Sequence, residues 1–233
     1  MKAPIPDNEA QRLAVLKEYH VLGTGAEEPY DDITRLAAIL SRAPFIAITL
    51  LDESRYWIKS KVGLERQEGP RDAALFCSYA ILQSTPLIVR DARKDARFAT
   101  SAMVVRPPHI CFYAGFPLIN PEGFALGALC VLDRKPRVLS ARQKEGLLIL
   151  ARHTMAQLEL RRVSDRMANL LENIKLLQGL LPICAWCKRI RDDDGYWQQV
   201  ESYVRQHLGT GFTHGICPDC LEKLRPNKPK EKA

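Results

Sequence analysis

The sequence has no uninterrupted apolar run approaching the ~18 residues of a membrane span, so no spanning segment is expected. Its opening, MKAPIPDNEAQR, has no apolar stretch after the lysine and does not read as a secretory signal. It has no internal repeat and no low-complexity segment, which excludes a repeat array. Lysine and arginine outnumber aspartate and glutamate by 34 to 27, but the positive charges are scattered. Only the tail RPNKPKEKA is locally basic, and it is short and interrupted by proline, so nucleic acid is not expected as a partner. Seven cysteines is an odd number, and without an export signal the default is reduced thiols rather than a disulfide framework. A cytoplasmic location is the expectation. What is present is ordinary for a buried core: 46% hydrophobic and 26% charged residues over 233 positions, room for one full domain and a small second module.

Asp7 or Asn8 can cap a helix in which Leu13, Leu16 and His20 recur at helical spacing, and GTGAEEP then breaks it. A second helix places Ile33, Leu36, Ala37 and Leu40 on one face. FIAITLLD (45–52) is short, apolar and β-branched, as a buried central strand should be, and YWIKSKVG (56–63) can pair back on it. AALFCSYAILQ (73–83) reads as a helix and PLIVRD (86–91) as a strand; residues 92–110 read as loop with a turn of helix. FYAGFPLI and FALGALCVLD flank Asn120-Pro-Glu-Gly, a hairpin turn. The fold class is therefore α+β, an antiparallel sheet covered by helices.

From Ser140 the pattern changes. Ser140 and Gln143 form a capping box, and no proline follows until Pro182. About 40 helical residues would span roughly 60 Å. Leu160, Val163, Met167, Leu170, Ile174, Leu177 and Leu181 alternate by three and four, the seam of a coiled coil from about residue 160. The neighbouring Arg166, Leu171, Asn173 and Gln178 supply no complementary charges to fix a partner's orientation. A homodimer through this helix is expected.

Cys184-Ala-Trp-Cys187 and Cys217-Pro-Asp-Cys220 have metal-ligand spacing. Two residues between cysteines let both sulfurs face one point, and two such turns complete the tetrahedron that Zn²⁺ prefers. The second pair opens LEKL, which puts its thiolates at a helix start, a treble-clef-like arrangement. Residues 182–226 hold few apolar side chains and need a staple, which structural zinc would provide. A dithiol redox motif expects one pair in a βαβ context, whereas two pairs favour zinc. His214 could replace one cysteine, and an iron–sulfur cluster uses the same ligand type.

Residues from about Asn8 to Arg162 resemble the GAF domains of bacterial sensor kinases and cyclases. The resemblance rests on Tyr30-Asp-Asp-Ile-Thr-Arg-Leu-Ala, Ile48-Thr-Leu-Leu-Asp, Trp57-Ile-Lys-Ser, Phe76-Cys-Ser-Tyr-Ala-Ile, Asp95-Ala-Arg-Phe, Phe112-Tyr-Ala-Gly-Phe-Pro-Leu and Leu126-Gly-Ala-Leu-Cys-Val-Leu-Asp, in that order. Residues 181–226 resemble a short four-cysteine module appended to bacterial PAS, GAF and receiver domains. The GAF resemblance implies a six-stranded antiparallel sheet with helices behind it, a ligand pocket on the other face and dimerisation through terminal helices. It leaves the ligand open. No Cys-His dipeptide for bilin attachment and no NKxFDE pattern of cyclic-nucleotide-binding members is present.

The resulting organisation is a sensory domain (1–139), a long signalling helix (140–181), a zinc module (182–226) and a basic tail (227–233). Zinc ligands are expected at Cys184, Cys187, Cys217 and Cys220. Polar or aromatic candidates for the sensory pocket are Trp57, Arg90, Asp91, His109, Cys111 and Tyr113, although Arg90 and Asp91 can simply pair with each other. No phosphoacceptor histidine motif, GGDEF-like loop, nucleotide-binding glycine loop or helix-turn-helix is evident. The expectation is a sensor or adaptor that is not an enzyme, with a protein partner at the zinc module. The alternatives are a thiol/zinc redox switch and a GAF-type free-methionine-sulfoxide reductase using Cys77, Cys111 and Cys130.

Overall fold

The computed structural model describes residues 3–178, 182–192 and 194–224. Two units part between Ala168 and Asn169. The first contains α1 (Glu9–Lys17), α2 (Glu28–Ser41), β1 (Phe45–Leu51), β2 (Arg55–Val62), β3 (Glu68–Pro70), α3 (Leu75–Ala80), β4 (Leu87–Val89), α4 (Ala102–Val105), β5 (Phe112–Ile119), β6 (Ala125–Asp133) and the larger part of α5 (Ala141–Gln178).

β1 is apolar except at Thr49 because every one of its residues is buried. It pairs antiparallel with β2 on one side and β6 on the other, in the six-stranded order β3-β2-β1-β6-β5-β4. This is the antiparallel sheet with helices that the GAF resemblance implies. Gly127 lies opposite Leu50 on β1, and a Cβ there would sit 2.0 Å from the Thr49 carbonyl oxygen. The Asn120–Gly123 turn forms as expected, with Gly123 at φ +88° and Phe124 N donating to Asn120 Oδ1 at 2.8 Å.

Alternate strand residues feed two separate cores. Ile46, Ile48, Leu50, Phe112, Ala114, Phe116 and Val131 pack with Leu16, Tyr19, Ile33, Ala37, Leu147, Ala151 and Leu158, beneath α1, α2 and α5. Ala47, Leu51, Tyr113, Cys130 and Leu132 pack with Phe76, Cys77, Ala80, Phe98 and Val104 on the opposite face. The capping box opens α5: Ser140 N donates to Gln143 Oε1 at 3.0 Å and Gln143 N to Ser140 Oγ at 3.2 Å.

Several elements differ from expectation. β3 was not foreseen, because Glu68-Gly-Pro is a three-residue edge strand with no alternation to read. The helix expected over 73–83 is a 3₁₀ turn, Arg71–Ala74, followed by the short α3. On α2 the buried face is Tyr30, Ile33, Thr34, Ala37 and Ser41, while Leu36 is exposed. α1 stops at Lys17; His20 adopts a left-handed φ of 46° and is exposed, and Tyr19 enters the core instead.

The second unit contains β7 (Ile190–Arg191) and β8 (Trp197–Gln198), paired antiparallel, then α6 (Val200–Leu208) and α7 (Pro218–Leu224). Among its described residues Ile190 is the one buried side chain. Of the heptad seam, Leu160, Val163, Met167 and Leu170 are exposed on α5; the side chains of Ile174 and Leu177, and Leu181 itself, lie outside the described residues. No helix among the described residues is long and apolar enough to cross a membrane.

Two buried polar knots hold the first unit. At the N-terminal edge Arg12 donates through Nε and Nη2 to the Glu9 carboxylate at 2.8 Å and through Nη2 to the Leu51 carbonyl at 2.7 Å. Arg71 reaches the same carboxylate and the Asp52 carbonyl. Burial raises the Glu9 pKa, but hydrogen bonds from Arg12 and then Arg71 outweigh it and lower the value from 4.5 to about 2. The carboxylate's stabilisation is thus complete above pH 4.5 and is lost as pH falls from there towards 2. We expect Glu9→Gln to lower stability at neutral pH by about 1–2 kcal/mol, discounted for partial solvent screening. Urea titrations at stepped pH should show that difference vanish across the acid window; a constant difference would show that the carboxylate's charge is not what Arg12 and Arg71 use.

The other knot fastens α5. Tyr19 donates its hydroxyl proton to Glu159, and Asn120 Nδ2 donates to Tyr19 Oη at 3.3 Å. Arg162, one-tenth exposed, lies 4.9 Å over the Tyr19 ring and bridges Glu159 and Glu122, both at 3.0 Å. Arg161 pairs with Glu27 and Arg166 with Glu18. Arg162→Ala would leave Glu122 and Glu159 without their shared cation and should cost about 1–3 kcal/mol. Hydrogen exchange should then quicken first around residues 155–166; unchanged protection there would mean the helix is held by its apolar face alone.

Candidate functional site

The six candidate pocket residues do not gather. By the β1–β2 register Trp57 lies opposite Leu50, so it shares the sheet face of α1, α2 and α5, while Tyr113 is wholly buried in the other core. Asp91 starts the turn after β4 and pairs with Arg93 at 2.8 Å rather than with Arg90. That ion pair holds the Asp91 carboxyl down to about 2, the hydrogen bond from Arg93 being the largest cause. His109 is exposed, with a left-handed φ of 58° after Pro108. Cys111 is buried at the foot of β5, its Sγ 3.7 Å from the His109 carbonyl, and its own carbonyl accepts from Ala92 N at 2.6 Å. Asp91, His109 and Cys111 therefore belong to the loops at one end of β4 and β5, away from Trp57.

Two clefts open on the first unit, and none of the six candidates lines either. One, of about 340 Å³, lies between the start of α2 and α5, walled by Tyr30, Leu160 and Arg161. The other, of about 620 Å³, lies among Ile5, Asn8, Arg12, Leu82, Ser84 and Ile119. The sheet face opposite α5, where the resemblance implies a pocket, is filled at its centre by rings. Phe76 stacks on Phe98 at 4.3 Å and on Tyr113 at 4.8 Å.

One constellation there was not foreseen as a unit. Cys77 on α3 and Cys130 on β6 bring their sulfurs to 3.4 Å, and the Tyr113 hydroxyl touches both. Cys111, the third cysteine of the reductase alternative, stands apart beside His109. Burial pushes the Cys130 thiol well up, and its hydrogen bond to Cys77 lowers the Cys77 thiol. The sequence grouped the three cysteines for the reductase alternative but could not single out this pair, because 53 positions separate the two; strand parity combined with the position of α3 brings them together.

The C-terminal cysteines form two separate pairs. Around Cys184 the chain turns tightly: Cys184 N donates to the Arg189 carbonyl at 2.8 Å and Lys188 N to the Cys184 carbonyl at 2.9 Å. Lys188 takes a left-handed φ of 59° to close that turn. Cys187 N donates to Cys184 Sγ at 3.4 Å. Amide donation from Cys187, then Trp186, lowers the Cys184 pKa, and the Cys220 amide does the same for Cys217. Cys217 directly precedes α7 and Cys220 sits in its first turn. The order is turn, hairpin, helix, with one pair in the turn and the other at the helix start. Each pair has the amide donors and lowered thiol that a metal thiolate needs. Among the described residues no three Cys, His, Asp or Glu side chains converge on one point, so the two pairs are not joined into a four-sulfur set.

No family model matches the chain. A cyclic di-GMP phosphodiesterase of Pseudomonas aeruginosa is 38% identical over 156 residues, 66% of this chain. The matched region is 26% of that enzyme's length, so the chain spans about a quarter of this curated relative. Among solved structures, a domain of a two-component sensor histidine kinase from Sinorhizobium meliloti aligns with 63% of this chain and 99% of its own, at 17% identity and a TM-score of 0.49. The GAF domain of an Acinetobacter phosphoenolpyruvate-protein phosphotransferase aligns with 71% of this chain and 99% of its own, at 16% identity and a TM-score of 0.46. The expectation that the chain is not an enzyme is overturned by the Pseudomonas relative, which carries the name of one. That expectation rested on the absence of four output motifs, and phosphodiester hydrolysis belongs to none of them.

Proposed function

We propose that this chain is a signal-transduction sensor, a GAF unit whose state is passed along α5 to a C-terminal zinc module, acting in cyclic di-GMP signalling. The observation that carries the reading is the knot at Tyr19, Asn120, Glu122, Glu159 and Arg162. It ties the segment after α1 and the β5–β6 turn to one stretch of α5. A change in either core that moves the turn must therefore move the helix. The relative's name supports the cyclic di-GMP setting, and the residue-level GAF resemblance with the six-stranded sheet supports the sensory role.

Two CxxC pairs are the donor set that zinc takes, although among the described residues the pairs do not converge on one point. Cys184 with Cys187, and Cys217 with Cys220, would hold the ion; its double positive charge would bring two mutually repelling thiolate pairs together and supply a centre to a module that buries almost nothing else. From the knot onwards, Leu160, Val163, Met167 and Leu170 present an exposed apolar stripe for a second copy of the helix. Exposed Trp186, Tyr196 and Ile216 on the module suit a protein partner.

Native mass spectrometry of gently purified protein should report a dimer with one zinc per chain. Cys184→Ser should lose the metal and unfold the module while the main melting transition survives. Less than half an equivalent of zinc in the wild type would remove the metal from the reading. Ile174 is a core position of the seam, and burying it against a partner is worth about 1.5–3 kcal/mol per chain. Ile174→Lys should therefore move the protein towards monomer in sedimentation at micromolar concentration; a monomeric wild type would end the coiled-coil part of the proposal.

A second reading rests on the relative's name, that the shared region takes part in cyclic di-GMP hydrolysis. Incubation of the purified chain with cyclic di-GMP and Mg²⁺, followed by chromatography, should yield a linear dinucleotide on this reading. An unchanged substrate would discard it.

A further inference from the structure

Cys77 and Cys130 come from different elements, α3 and β6, yet their sulfurs lie 3.4 Å apart within a buried face. Tyr113 Oη lies 3.4 Å from Cys130 Sγ and 3.7 Å from Cys77 Sγ. Among the described residues these sulfurs are the hydroxyl's only hydrogen-bond partners. A buried tyrosine hydroxyl ordinarily finds an oxygen or nitrogen partner. Here the space for it is made by Gly115, where a Cβ would sit 2.2 Å from the phenol oxygen. Two cysteines acting only as small apolar fillers would leave that hydroxyl poorly satisfied; a sulfur able to carry negative charge would accept from it well.

We infer that Cys77 and Cys130 form an oxidation site, a dithiol that a hydroperoxide converts to a disulfide joining α3 to β6. Cys77 is the first to react. It is 8% exposed against 1% for Cys130, and hydrogen bonds from Cys130 and Tyr113 favour its thiolate. Its sulfur attacks the outer peroxide oxygen; the O–O bond breaks, the alkoxide leaves and takes the proton as an alcohol, and Cys77 becomes a sulfenic acid. Cys130 then loses its proton as its sulfur bonds to Cys77, and the sulfenic oxygen departs as water. In balance, two thiols and one hydroperoxide give one disulfide, one alcohol and one water. The sulfurs need to close from 3.4 Å to a bond of about 2.05 Å, a movement within reach of a side-chain rotation and a small shift of α3. The site is separate from the four C-terminal cysteines, and the bridge forms or fails whatever the zinc proposal's fate. If the chain is a sensor, the bridge is one of its inputs.

Full-length protein is treated with one to two equivalents of hydrogen peroxide, its remaining thiols are alkylated under denaturing conditions, and the non-reduced digest is mapped by mass spectrometry. A peptide joining Cys77 to Cys130, lighter by two hydrogens and released by dithiothreitol, is expected, with a melting temperature raised by several degrees. Cys130→Ala should leave Cys77 as a sulfenic acid that dimedone traps, and Cys77→Ser should abolish the bridge. Recovery of both residues as alkylated thiols while Cys184, Cys187, Cys217 or Cys220 oxidise would overturn the inference, as would Cys77 paired with Cys111. The wild-type map decides even where a variant does not fold.

Discussion

The ladder between β1 and β6, running from Phe45 opposite Leu132 to Leu50 opposite Gly127, is the constraint on which the rest of the first unit depends. Both strands are covered on both faces, so each successive side chain must enter one core or the other. A one-residue slip would send Ile46, Ile48 and Leu50 to the face of Phe76 and Tyr113, and Thr49 to the face of Leu16 and Leu147. Gly127 fixes the register from within: at that position any side chain would meet the Thr49 carbonyl. The separation into a helix-covered core and an aromatic, cysteine-containing core follows from that single pairing.

The two cores have different roles because different elements close them. α5 closes the first with Leu147, Ala151, Met155 and Leu158, then meets charge rather than hydrocarbon at Glu159, Arg161 and Arg162. Apolar packing places the helix, and the polar knot determines how it leaves the domain. Tyr19 belongs to both, its ring in the core and its hydroxyl on Glu159, the latter together with burial raising its pKa. The second core is closed by the short α3 and the loop through Phe98, elements with few turns of their own and little backbone to hold them rigid. A small change there, such as a new bond from α3 to β6, acts on β6 itself and so on the ladder shared with β1.

Much of this architecture was legible in the sequence. β1, the β5–β6 hairpin and the α5 cap follow from apolar runs, turn residues and Ser140 with Gln143, all of them local signals. What was not legible is what depends on distance in the chain. β3 exists because Arg55, Tyr56 and Trp57 leave an edge for it to pair with. The helical spacing that pointed to His20 ends three residues earlier, where Tyr19 finds Glu159 and Asn120 far along the chain. For the pocket candidates, residue type was read without sheet parity, and parity is what puts Trp57 and Tyr113 on opposite faces. Cys184 with Cys187 and Cys217 with Cys220 were legible as pairs because their geometry is local; the joining of the pairs is not encoded by spacing.

The two groups of thiols illustrate how environment divides one side chain's chemistry. Cys184, Cys187, Cys217 and Cys220 are partly or fully solvent-facing, and amides at a tight turn and a helix start favour the charged form of Cys184 and Cys217. Such thiolates can hold a cation, and in a module with Ile190 as its one buried residue among those described, the cation would do the work of a core. Cys77 and Cys130 stand where burial opposes charge; hydrogen bonds from Cys130, Tyr113 and Thr49 offset that at Cys77, whereas at Cys130 burial and the neighbouring Cys77 both push the thiol up. Burying an ion costs far more than burying a neutral hydroxyl compound, so this site suits an uncharged hydroperoxide, able to hydrogen-bond with Tyr113, better than a cation. On the two proposals, exposure suits the first group to hold a metal and shared burial suits the second to be oxidised together by a peroxide, although all six are the same residue.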